Sequence, residues 1–190
     1  APFVAFGRPW DDPEASHSWV DVDGGAGVAQ ATDHLIGAGH TAISWLGWEA
    51  SSRIGEDRRS GWQRRMEEAG LPTHGLAERI TDNADAARLA AHQQIDNGAS
   101  AFVCASDTMA LGVLQALAER GLSAGTDIGL VGFDDSAAAQ IVGLSSVRQP
   151  LEQVAVEVVA ALHDILDEPS GDRTGLVLTP TLVVRRSSSA

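Results

Sequence analysis

Ala101-Phe102-Val103-Cys104-Ala105-Ser106-Asp107-Thr108-Met109-Ala110-Leu111-Gly112-Val113-Leu114 is the stretch that decides the fold class. The unbroken apolar run at 101–104 predicts a strand, and the helical spacing that follows predicts a helix over 107–120. Ser106 or Asp107 supplies its N-cap and Gly121 its stop. The same unit recurs in both directions. Toward the N-terminus, strands are predicted at 2–6, 19–22, 42–46 and 76–80, with helices at 25–38, 56–68 and 84–96. Toward the C-terminus, strands are predicted at 128–133, 145–148 and 175–184, with helices at 136–141 and 150–166. Strands that are apolar almost throughout, alternating with helices, belong to a parallel sheet covered on both faces. The expected fold is therefore α/β and doubly wound. Pro180 interrupts the last strand and marks it as an edge. The serine tail at 187–189 is expected to fray.

Composition narrows the function classes. The 190 residues suit one large domain or two small ones. Asp and Glu number 26 against 13 basic residues, a formal charge of −13. All the basic residues are Arg. Phosphate neutralisation needs a clustered basic surface. The densest Arg cluster, Arg58, Arg59, Arg64 and Arg65, is interleaved with Glu56, Asp57, Glu67 and Glu68, so this stretch of chain is not expected to hold DNA itself. Cys104 is the single cysteine, so no intrachain disulfide framework forms. No apolar run approaches the roughly 18–20 residues of a membrane span. The first ten residues lack the basic and apolar regions of a secretory signal.

In an open α/β sheet, ligands bind outside the carboxyl ends of the strands. Arg8 and Trp10 follow the first predicted strand, Trp48 and Glu49 the third, and Asp82 and Asn83 the fourth. Ser106 and Asp107, then Asp134 and Asp135, then Gln149 follow the next three. Each Ser, Asp or Asn there is also what a helix N-cap requires. Together they suggest a polar site with aromatic walls. Such a site suits a polyhydroxylated ligand, since carboxylates and Arg hydrogen-bond hydroxyls and a Trp face packs on ring C–H groups.

Catalytic look-alikes fail on context. Gly121-Leu122-Ser123-Ala124-Gly125 matches G-x-S-x-G, but it follows a helix, whereas a nucleophile elbow needs a strand-to-helix turn. Gly25-Ala26-Gly27 opens a helix after a strand, but Gln30 stands where a dinucleotide fingerprint needs Gly or Ala. It reads as a tight turn or an anion contact. His17, His34, His40, His74, His92 and His163 show no metal-ligand spacing, and one cysteine builds no thiolate site, so no metal and no cofactor are expected. His34 reads as a helix-surface or interface residue. Asp134-Asp135 has no partner nucleophile and reads as one ligand contact and one cap.

Six motifs in order resemble the effector-binding region of LacI/GalR-family bacterial transcription regulators. They are Trp19-Val20-Asp21-Val22-Asp23, His34-Leu35-Ile36-Gly37-Ala38-Gly39-His40, Arg58-Arg59-Ser60-Gly61-Trp62, Ala105-Ser106-Asp107-Thr108-Met109-Ala110-Leu111-Gly112, Val131-Gly132-Phe133-Asp134-Asp135 and Ser146-Val147-Arg148-Gln149-Pro150-Leu151. The resemblance covers essentially the whole chain. It implies a type I periplasmic-binding-protein-like fold, with doubly wound parallel sheets in two subdomains and a ligand between them. By that analogy, 1–23 and 149–168 belong to an N-terminal subdomain that is only partly present. Residues 24–148 and 169–190 belong to the C-terminal one, and the family's helix-turn-helix has no counterpart. The resemblance assigns effector contacts to Arg58 and Asp134, with Phe133 beside them. It points also to Ser106, where the family often has Asn, and to Asn83, where an aromatic is common. The usual Asn of V-D-x-D-N is Gly24. Trp48, Trp10 and Arg8 join the effector-binding set from their positions after strands, with loop packing the other reading of the two Trp.

The resulting expectation is a sugar-sensing domain of a cytoplasmic transcriptional regulator with no catalytic residues. Its effector would bias the subdomain angle and reposition DNA-binding headpieces in a dimer. A transporter's solute-binding protein and an α/β enzyme are the alternatives. The helix over 107–120 is apolar on too many sides for one wet face. Leu111 and Leu114 are accordingly assigned to a homodimer interface in the C-terminal subdomain.

Overall fold

The computed structural model describes residues 2–10, 12, 14–49, 51–168 and 175–189. In chain order the elements are β1 (Val4–Phe6), β2 (Ser18–Val22), α1 (Gly24–Gly37), β3 (Ile43–Gly47), α2 (Arg53–Glu68), β4 (Ala77–Arg79), α3 (Ala84–Asp96) and β5 (Ala101–Cys104). There follow α4 (Asp107–Glu119), β6 (Gly129–Phe133), α5 (Ala137–Val142), β7 (Ser145–Arg148), α6 (Leu151–Asp167), β8 (Gly175–Leu178) and β9 (Thr181–Val183). They form two compact units. The first is Ala1–Asp23 with Gln149–Pro180, and the second is Gly24–Arg148 with Thr181–Ala190.

The first unit is a three-stranded parallel sheet, ordered β1-β2-β8, with α6 packed on it. Val20, Val22, Val154 and Leu178 make its core. The central strand β2 buries four of its five residues, whereas β8 exposes Gly175, Leu176 and Val177.

The second unit is a six-stranded sheet ordered β4-β3-β5-β6-β7-β9. All its pairings are parallel except β7 with β9. Five of the strand residues of β3 and all of those in β5 and β6 are buried, as expected for a sheet covered on both faces. Helices α1 and α2 pack together, as do α3 and α4. Glycine sets both approaches: a Cβ at Gly61 would lie 2.0 Å from the Gly25 carbonyl oxygen, and one at Gly112 would lie 2.2 Å from that of Ala84. Trp62 is fully buried and satisfies its indole N–H on the Ile43 carbonyl at 3.1 Å. Helices α2, α3, α4 and α5 start at Ser52, Asn83, Ser106 and Ser136, each accepting a backbone N–H from three residues on.

Several expectations change. The segment 175–184 is not one edge strand. Pro180 separates β8, which joins β2, from β9, which runs antiparallel to β7 in the other sheet. Each piece lies at an edge, as the proline required, but residues 175–180 belong to the first unit and not to the C-terminal subdomain. The first sheet thus has three strands rather than two, and the second is not wholly parallel. β1 and β2 do not pair with the main sheet, which excludes a single small α/β domain. The serine tail is not frayed at its start. Ser187 and Ser188 are buried, and Ser187 bonds the Leu130 carbonyl through its hydroxyl at 2.7 Å and the Ser145 N–H at 2.7 Å. His34 is half-buried on α1, and its Nε2 lies 3.0 Å from the Ser188 carbonyl oxygen and 2.9 Å from its hydroxyl.

Candidate functional site

From β3 the chain passes outward to β4 and then back across to β5 on the other side. That reversal is the topological switch point, and it places the crevice of the second unit at the carboxyl ends of β3 and β5. Trp48 follows β3, Ala105 and Ser106 follow β5, and Asp134 follows β6. Arg58 comes to them from α2. It is only 6% exposed, so it is no surface ion-pair residue. Its Nη1 donates to the Ala105 carbonyl at 2.5 Å. Its guanidinium carbon lies 3.5 Å from the Phe133 ring centroid and 4.9 Å from that of Trp48. The cation thus sits against two aromatic faces, a geometry that strengthens as water is excluded. Gly24 makes room for it: a Cβ there would lie 2.9 Å from Arg58 Cγ.

Trp48 is half-buried and packs on the core, yet its indole N–H is buried with no hydrogen-bond acceptor among the described residues. Ser106 and Asn83 act locally as caps. Ser106 accepts the Met109 N–H and donates to Asp82 at 2.6 Å, and Asn83 accepts the Ala86 N–H at 2.8 Å. Phe133 is fully buried beneath Arg58, and Asp134 is exposed. Asp135 is not a cap, because Ser136 caps α5. It is a buried carboxylate paired with Arg148 and Arg185, each at 2.6 Å. Asp107, also buried, accepts the Ser146 hydroxyl at 2.6 Å and the Ser136 N–H at 2.7 Å. In the sequence Asp107 reads as a cap candidate and Asp135 as a cap or ligand contact, not as buried anchors. Their partners lie 11 to 50 residues away, and no local pattern announces them.

The first unit holds Arg8 and Trp10. Arg8 forms an ion pair with the buried Asp21, and its guanidinium carbon lies 4.3 Å from the Trp10 ring centroid. Arg8 Nη2 and the Trp10 indole N–H are buried with no acceptor among the described residues.

The rejected motifs have structural explanations. The Gly25 N–H donates to Asp57 at 2.9 Å, so the start of α1 already holds a carboxylate. Gly121, at φ 68°, follows the end of α4, which confirms that the G-x-S-x-G match is a helix stop. Burial and the Asp107 carboxylate push the Cys104 thiol far above its ordinary range, so it stays neutral and is no nucleophile. No group of three or more metal-ligating side chains occurs among the described residues.

The sequence model of the periplasmic-binding-protein-like domain matches residues 32–188. A LacI-family regulatory protein from Chloroflexus aggregans superposes with a TM-score of 0.91 at 37% identity, covering 100% of this chain and 69% of that one. The transcriptional regulator CelR in complex with cellobiose superposes with a TM-score of 0.89 at 31% identity, covering 98% of this chain and 59% of that one. Among curated proteins, the HTH-type transcriptional regulator CelR of Thermobifida fusca is 31% identical, over 98% of this chain and 56% of its own length. The arabinose metabolism transcriptional repressor of Geobacillus stearothermophilus is 30% identical, over 92% and 50%. The chain belongs to the periplasmic-binding-protein-like domains of the LacI family. It spans about half the length of the curated relatives it matches.

Proposed function

We propose that this chain is the effector-binding region of a LacI-type bacterial transcription regulator. It binds a sugar or oligosaccharide that alters DNA binding by the full-length dimer, and it catalyses no reaction. The observation that carries this reading lies in the second unit, where Arg58 rests against the faces of Phe133 and Trp48 and the Trp48 indole N–H is buried with no acceptor among the described residues. A buried donor left unpaired costs free energy, and a polyhydroxylated ligand brings an acceptor for it. Arg58 and Asp134 supply a fork of donors and a carboxylate at the carboxyl ends of β5 and β6. The CelR–cellobiose complex supports a sugar as the ligand class. The relatives are regulators, which favours regulation over a transporter's binding protein. We assign the protein to the cytoplasm, where a bacterial transcription regulator meets DNA; none of its described helices is long and apolar enough to cross a membrane.

The test is a thermal-shift and calorimetric screen of mono- and oligosaccharides, cellobiose included. A binder at a hundredfold excess over Kd adds about 2.7 kcal/mol of stability. Arg58→Ala is expected to weaken binding by roughly 1.5–3 kcal/mol, the cost of losing a charged hydrogen bond. Unchanged affinity in a folded variant removes Arg58 from the site. We place the homodimer contact on Leu111 and Leu114, both half-buried on α4, with Leu114 lining a groove that includes Ala124 and Val142. A monomer at tens of micromolar in sedimentation would overturn that placement.

A further inference from the structure

Among the described residues, the only non-glycine residues with positive φ are Asp134, at 107°, and Asp135, at 52°. They are adjacent and follow Phe133, the ring on which Arg58 rests. Asp135 sits in the left-handed region that Asp tolerates. Asp134 lies beyond it, where an L side chain is crowded by its own backbone. Strain of this kind persists only where the surroundings over-determine it.

The surroundings here are specific. Asp135 is almost wholly buried, and different cations face its two carboxylate oxygens, Arg148 through a hydrogen bond to Oδ2 and Arg185 as an ion pair with Oδ1. Arg148 Nε and Nη2 both lie 2.6 Å from Oδ2, and Arg185 Nη2 lies 2.6 Å from Oδ1. Its backbone is pinned as well: the N–H donates to Ser146 Oγ at 2.9 Å, and the carbonyl accepts from Gln140 Nε2 at 3.0 Å. The Asp134 N–H donates to the Val147 carbonyl at 2.8 Å. On the far side, Asp107 holds the Ser136 N–H and the same Ser146 hydroxyl. Arg148 ends β7 and Arg185 lies just past β9, so one carboxylate ties three segments of the second unit together.

We propose that Asp135 is a positioning residue for the effector site: its buried carboxylate, clamped between Arg148 and Arg185, holds the backbone from which Asp134 projects in a conformation that Asp134 would not keep by itself. The part that concerns ligand rests on the reading of Asp134 as an effector contact. The backbone clamp does not depend on it, and the measurements separate the two.

The experiment uses this chain with Asp135→Asn, Asp134→Gly and the double variant. Amide hydrogen exchange at 134 and 135 is expected to speed up about tenfold or more in Asp135→Asn, with protection kept in β5 and α4. Asp134→Gly, which accepts φ 107° without strain, is expected to raise the unfolding temperature. Asp135→Asn is expected to lower that temperature less in the parent than in the Asp134→Gly background, because releasing the clamp also releases the strain at Asp134. A purely structural ion pair would give equal losses in both backgrounds, and that result, or unchanged exchange at 134 and 135, overturns the proposal. Cellobiose titration reads the ligand part: if the parent binds, Asp135→Asn is expected to weaken binding about tenfold while the fold survives. If the parent does not bind cellobiose, that choice of sugar fails and the exchange and coupling results still decide the clamp. Should Asp135→Asn not fold, Arg148→Gln removes one cation from the same carboxylate and carries the same measurements.

Discussion

Both units pack helix on sheet, and they end with very different interiors. In the second unit Trp45, Trp62, Phe102, Phe133, Met66 and Met109 are all at or below 1% exposure within one continuous core. In the first unit the core is Val20, Val22, Val154 and Leu178, while Val156, Val159 and Leu166 on α6 are 60–67% exposed. The difference is the number of neighbours. A six-stranded sheet offers two faces wide enough for paired helices, whereas a three-stranded sheet covers one side of one helix. The apolar pattern of an element thus says that it wants a partner, and the rest of the fold decides whether it has one.

The largest test of this contrast is Trp62→Ala. It removes a fully buried ring and its bond to the Ile43 carbonyl, and it is expected to cost about 3–5 kcal/mol in urea unfolding. A loss below about 1 kcal/mol would mean that the second unit's core is no better packed than the first unit's. Next is Ser187→Ala. It leaves a buried carbonyl at Leu130 and an N–H at Ser145 short of a partner, for a loss of roughly 2–3 kcal/mol. A neutral result would return the serine tail to the frayed segment that its composition suggests.

A smaller effect sharpens the same comparison by pH. Burial, and then the neighbouring His34, hold the His40 pKa below its ordinary 6.5. The folded state therefore favours neutral His40. Its contribution is fully present above pH 6.5 and is lost as pH falls through the lowered value, where the unfolded chain takes the proton more readily. His40→Gln is expected to flatten that part of the stability profile, and an unchanged acid slope would assign it to other groups. The smallest effect is expected in the first unit. Val159→Ser on the exposed face of α6 should stay within about 0.5 kcal/mol. A loss above 1 kcal/mol would show that this valine is covered in solution.

Much of the candidate site was legible in the linear order of residues, because chemistry at a sheet's carboxyl ends follows strands directly. Trp48, Ser106 and Asp134 each come within two residues of a strand end. Arg58 was found only through its motif, since nothing in an acidic and basic helix says that one Arg turns inward between Phe133 and Trp48. Asn83 and Ser106 each stand where a helix N-cap is required, and both make the capping bond. Asp135 reads as a cap or a ligand contact in the sequence because the two cations that pair with it stand 13 and 50 residues along the chain.

By itself the amino-acid sequence determined the identity and order of nearly every element, since apolar periodicity, N-caps at Ser52, Asn83, Ser106 and Ser136, and the glycine stop at Gly143 act within a few residues. It also determined that Pro180 could not lie inside a central strand. The tertiary structure alone decided which sheet each side of that proline joins, because β8 and β9 gain their hydrogen bonds from β2 and β7, more than 30 residues away. It alone decided that Ser187 and Ser188 are interior and that Asp135 is clamped. Backbone periodicity is a property of neighbours in the chain, whereas burial and charge pairing are properties of neighbours in space, and only folding brings those together.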